Sequence, residues 1–97
     1  MELAVEVVRW DGLTLVFNNP YLLKIEKDKL GSLWIASDTS IDLYVFADDI
    51  DQLRQEIAEW FVMSYRCYVV GRVGYQLGDR AREVGVRLDN LIKKEPG

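Results

Sequence analysis

Apolar residues recur at every second position as far as Ala47, and at every third or fourth from Ile50 onward. That change of period, at Asp48-Asp49, constrains the fold more than any other feature of the chain. Period two belongs to strands with one buried face, and period 3.6 to helices with one buried stripe. Strands first and helices after point to an α+β fold, with an antiparallel sheet covered on one face by helices. The length of 97 residues fits a single domain over 1–97, with strands in 1–47.

Five strands are expected in that first half. Leu3, Val5 and Val7 alternate with Ala4, Glu6 and Val8. Asp11-Gly12 follows as a two-residue hairpin signal, because both residue types tolerate positive φ. Leu13, Leu15 and Phe17 carry the return strand, and Asn18-Asn19-Pro20 is expected to end it. A third strand covers Tyr21 to Lys27, with Leu23 and Ile25 inward. Asp28 to Gly31 then turn, Ser32 to Ser37 form a fourth strand around Trp34, and Asp38-Thr39-Ser40 turn again. The fifth runs from Ile41 to Ala47, with Leu43 and Val45 on one face and Tyr44 and Phe46 on the other. Short turns between sequential antiparallel strands favour a meander.

A long helix is expected over 49–70, its stripe made by Ile50, Leu53, Ile57, Trp60, Phe61 and Tyr68. GRVGYQLG, residues 71–78, reads as a loop. A second helix over 79–93 turns Ala81, Val84, Leu88, Leu91 and Ile92 inward, and 95–97 form a tail.

The formal net charge is −4, against the basic footprint that sequence-independent nucleic-acid binding needs. The charge is uneven. Residues 1–51 hold 4 Lys/Arg against 10 Asp/Glu, a balance of −6, and residues 52–97 hold 8 against 6, a balance of +2. The acidic strand half suits a basic partner. The single Cys67 builds no disulfide framework, which points to a reducing, cytoplasmic setting; the expectation for its side chain is packing rather than chemistry. No apolar run reaches the length of a membrane span, and the first residues lack the basic region of a signal peptide.

Candidate chemistry is sparse. There is no histidine, so the commonest general base and the commonest zinc ligand are missing. The glycines at 71, 74 and 78 follow a helix, whereas a phosphate loop sits between strand and helix N-terminus. Asp48, Asp49 and Asp51 straddle the change of period. Asp49 with Gln52 matches a capping box, which satisfies the free N–H groups of a helix's first turn. The rival is a two-metal carboxylate site drawing in Asp38 or Asp42, which needs several carboxylates converging in one cleft. No catalytic, cofactor-binding or metal-ligating residue is assigned.

The segment KIEKDKLGSLWIASDTSIDLYVFADDIDQLRQEIAEWF, Lys24 to Phe61, resembles the HicB-like antitoxin domain of toxin–antitoxin pairs. The shared features are an acidic turn ending in glycine (Asp28 to Gly31), an aromatic strand (Trp34), and a strand (Tyr44 to Ala47) passing directly into an amphipathic helix at Asp48 and Leu53. The chain departs from the family pattern where Asp38-Thr39-Ser40 stands in place of a Pro-Gly loop. The resemblance implies a protein partner, often a small basic toxin, and self-association.

The expected function is thus a non-enzymatic, antitoxin-like protein-interaction module, a homodimer or higher oligomer without a cofactor. It would bind no nucleic acid directly and no membrane. Glu26, Asp28, Asp38 and Asp42, on outward strand positions or turns, are the candidate contacts for the basic partner. Two alternatives are a small Mg²⁺-dependent carboxylate enzyme acting on nucleic acid or phosphoesters, and a phage or host accessory inhibitor.

Overall fold

The computed structural model describes residues 1–71 and 78–93. Four antiparallel strands, in the order β1-β2-β3-β4, make one sheet: β1 is Glu2–Trp10, β2 Leu13–Lys27, β3 Trp34–Asp38 and β4 Leu43–Ala47. Helix α1, Ile50–Tyr65, continues as a π turn over Arg66–Val70, and α2 spans Asp79–Leu91. The α+β class and the meander are as expected. The expected loop at 71–78 lies outside the described residues except at its two ends, and so does the tail at 95–97.

The strand count is four, not five. Asn18-Asn19-Pro20 does not end a strand; β2 runs through it for 15 residues. Val5 pairs with Tyr21 and Val7 with Val16, so the four residues Phe17 to Pro20 stand opposite the one residue Glu6. This bulge absorbs the proline and keeps the strand paired on both sides of it. It also changes the parity of β1. Val5 and Val8 are buried while Val7 is 46% exposed, because an irregular step in register moves the following side chains to the other face. The shared face that strict alternation gives Val5 and Val7 is corrected accordingly.

The turns are as local chemistry dictates. Asp11 (φ 48°) and Gly12 (φ 79°) both take positive φ, the requirement of the tight hairpin between β1 and β2. The Asp28 carboxylate accepts from the Ser32 and Leu33 amides at 2.8 and 3.1 Å and closes the β2–β3 turn. The expected fourth and fifth strands both lose residues at their starts. Ser32 lies in that turn, and Ile41 belongs to a 3-10 turn, Thr39–Ile41, between β3 and β4.

Asp49 caps α1. Its backbone is extended, and its carboxylate accepts from the Gln52 amide at 2.8 Å. Asp49→Ala is expected to cost about 0.5–2 kcal/mol in urea denaturation and Asp48→Ala little, since the latter makes no cap. Equal losses for the two variants would overturn this assignment.

Both helices lie on one face of the sheet. Leu23, Ile25 and Ala36 from the strands meet Leu53, Ile57 and Phe61 from α1, and Val84 and Leu88 from α2. Phe61 is the hub: its ring meets Phe17 and Trp60 edge-on at 5.0 Å and Tyr21 at 6.0 Å. Trp60 is only half-buried, so the anchor of α1 is its neighbour. Helix α2 ends before the expected Lys93. Ile92 leaves the helix in an extended conformation and bridges to Phe17, while the Lys93 amide donates to the Val16 carbonyl at 2.6 Å. It can do so because β2 is far longer than β3, which pairs only with Lys24 to Lys27.

Candidate functional site

Among the described residues, the helices cover one face of the sheet and leave the other open. On the open face the cross-strand rows are Glu26–Ile35–Phe46 and Lys24–Ser37–Tyr44. Tyr44 and Phe46 are 61% and 55% exposed, and their rings meet at 6.3 Å. Leu22, from the same face of β2, is 59% exposed. Period-two patterning places these side chains opposite Leu43 and Ala47, which are buried.

The four candidate acidic residues do not form one patch. Glu26 lies on the open face, in the same row as Phe46, with Lys24 at 3.4 Å. Asp28 lies at one end of the sheet; Asp38 and Asp42 lie at the other, about 13 Å away along β3 at the usual rise per residue. Three of the four are committed within the chain. Asp28 holds its turn, and hydrogen bonds from the Leu33 and Ser32 amides keep its carboxyl below the usual range. Asp38 accepts from the Ser40 amide and hydroxyl at 2.9 and 2.6 Å and from the Tyr21 hydroxyl. Burial pulls the Asp38 carboxyl up, but the Ser40 and Tyr21 bonds outweigh it and the net shift is downward. Asp42 (φ 56°) receives the Arg80 guanidinium at 2.8 Å, which lowers its carboxyl pKa.

The carboxylates weighed as a metal site do not converge. Asp38 precedes β4 and Asp48 follows it, and Asp49 is occupied by the helix cap. Among the described residues no group of three or more His, Cys, Asp or Glu is placed to hold a metal ion. Cys67 is exposed rather than packed, in a π turn that buries none of its residues. Among the described residues, no helix is long and apolar enough to cross a membrane.

Some structural contacts had no signal in sequence spacing. Arg66, at the end of α1, grips the β1–β2 turn through the Asp11 carboxylate at 2.9 Å and its carbonyl at 3.0 Å. Tyr21 reaches Asp38 across 17 positions, and Arg80 reaches Asp42 across 38.

The Tyr21–Asp38 pair makes stability depend on pH at both extremes. Burial, then the bond to Asp38, raises the Tyr21 phenol to about 12. The neutral phenol is the form the fold favours, so its contribution is complete below the ordinary tyrosine value of about 10. It is lost as pH rises from there toward 12. The depressed carboxyls of Asp28, Asp38 and Asp42 contribute above about pH 4 and lose that contribution as pH falls further. Melting temperature should fall on both flanks, and Tyr21→Phe should flatten the alkaline one. An unchanged alkaline fall in that variant would assign it elsewhere.

Compared with protein-family models, curated proteins and solved structures, the chain matches none of them.

Proposed function

We propose that this chain is a non-enzymatic, antitoxin-like interaction module that self-associates and binds a small basic protein. The observation that carries the reading is the sheet that the described residues cover on one side only, with Leu22, Tyr44 and Phe46 each more than half exposed on the other. Large apolar and aromatic side chains exposed together on one face of a small domain favour a protein interface, where aromatic residues are enriched. The −6 balance of residues 1–51 adds an electrostatic preference for a cationic partner. The resemblance of Lys24 to Phe61 to the HicB-like domain adds support to this reading. A reducing, cytoplasmic compartment suits the unpaired Cys67.

Self-association rests on apolar contacts of the open face and should survive salt. Partner capture is steered by Glu26 with the field of Asp28, Asp38 and Asp42, and should slow as ionic strength rises, since exposed charges are screened beyond roughly 8 Å at physiological salt. Light scattering and a salt series of association rates test the two halves. A strict monomer at high concentration would contradict the first, and an on-rate indifferent to salt the second.

A further inference from the structure

Among the described residues, nothing protects the edge of the sheet at β4. Its sequence, LYVFA, holds no charge, no proline and no bulge, and no described strand pairs with it beyond β3. Sheet edges are ordinarily blunted by charges, proline or bulges, because their free N–H and C=O groups recruit other chains. The opposite edge, β1, shows such protection, with Glu2, Glu6 and Arg9 along it and the irregular step at Glu6.

The surroundings of the β4 edge differ on its two sides. On the open face stand Tyr44 and Phe46. On the helix side, Val45 stays half-buried between its buried neighbours Leu43 and Ala47, because α1 leaves a groove over it. That groove is lined by Val45, Trp60, Met63 and Ser64, and rimmed by Glu56 and Glu59. Neither glutamate is ion-paired among the described residues. Arg80, which lines the adjoining hollow over Trp60 and Ser64, is engaged by Asp42, Glu83 and the Thr39 carbonyl.

We infer that the β4 edge accepts an extended segment of a basic partner protein, with apolar and Lys/Arg residues in alternation, as a fifth strand. Side chains of an added strand point alternately to the two faces. One set lies beside Tyr44 and Phe46 and is apolar. The other enters the groove, where lysine or arginine stems cover Val45, Trp60 and Met63 and their cations meet Glu56 and Glu59. A second copy of this chain is the poorer occupant, because pairing β4 with β4 would set two pairs of glutamates along one seam. Self-association is thereby left to the open face. The inference rests on the interaction-module reading and names its site and the partner's chemistry.

The test uses the full chain and a capped ten-residue peptide alternating valine with lysine, followed by amide chemical shifts and hydrogen exchange. Shifts and slowed exchange confined to Leu43–Ala47 and the groove are expected. Glu56→Gln/Glu59→Gln should weaken binding about two- to tenfold, as for two partly exposed charge pairs. A peptide of the same composition with its lysines in one block should bind markedly less. No binding at millimolar peptide, equal binding of the block peptide, or shifts centred on β1 would each overturn the inference. If a native basic partner is captured while Leu43–Ala47 stay unshifted, the edge site falls and the interaction reading stands. If the peptide docks on β4 but no native partner exists, the reverse holds.

Discussion

Phe61→Ala is expected to remove about 3–5 kcal/mol of stability, the range for a fully buried aromatic ring replaced by alanine. Phe61 is 0% exposed and holds Phe17, Tyr21 and Trp60 around it, so its loss opens a cavity where α1 meets the long strand β2. Domains of this length have total stabilities of only about 5–15 kcal/mol, so the variant should be substantially unfolded at modest urea. Trp60→Ala should cost less, about 1–2 kcal/mol, because that ring is only partly buried. Urea denaturation of the two variants decides between them. The opposite ranking would place the anchor of α1 at Trp60.

Gly85→Ala should destabilise the chain even though alanine is the better helix former by about 1 kcal/mol. Gly85 is buried in the middle of α2 against the π turn, and a Cβ there would sit 2.5 Å from the Tyr68 carbonyl oxygen. That contact is with backbone, so no rotamer change relieves it and the helix or the turn must move. Overpacking of this kind costs about 1–3 kcal/mol. Gly78→Ala is the control, since a Cβ at Gly78 meets nothing. Higher stability of Gly85→Ala by urea denaturation would show that α2 does not press on Tyr68 as described.

The elements that local chemistry determines were legible in the sequence. Asp11-Gly12 demanded a tight hairpin, Asp49-x-x-Gln52 a helix start, and Leu23 with Ile25 a buried strand face; all three are found. What misled was a local signal overruled by tertiary pairing. Asn18-Asn19-Pro20 reads as a break, yet β1 on one side and Ile92 on the other keep β2 continuous through it. The same bulge explains the exchanged burial of Val7 and Val8. Gly85 carried no readable signal, because its reason is a neighbour 17 positions away. The candidate acidic residues are outward on strands or in turns, and turns are also where carboxylates hold backbone amides. Asp28 and Asp38 do that, which leaves Glu26 as the member of the set on the open face. The meander already puts the last strand at an edge; the groove over Val45 has no sequence signal, because it depends on how α1 packs across β4.

Purification of the tagged chain from its native cells at low salt, with mass spectrometry and stoichiometry of whatever co-elutes, tests the interaction reading most directly. The expected result is one small protein rich in Lys and Arg, present in near-equimolar amount, that dissociates when the salt is raised while this chain stays oligomeric. A chain that elutes alone as a monomer, and whose preparation instead shows a Mg²⁺-dependent phosphoesterase activity abolished by Asp48→Asn, would contradict it.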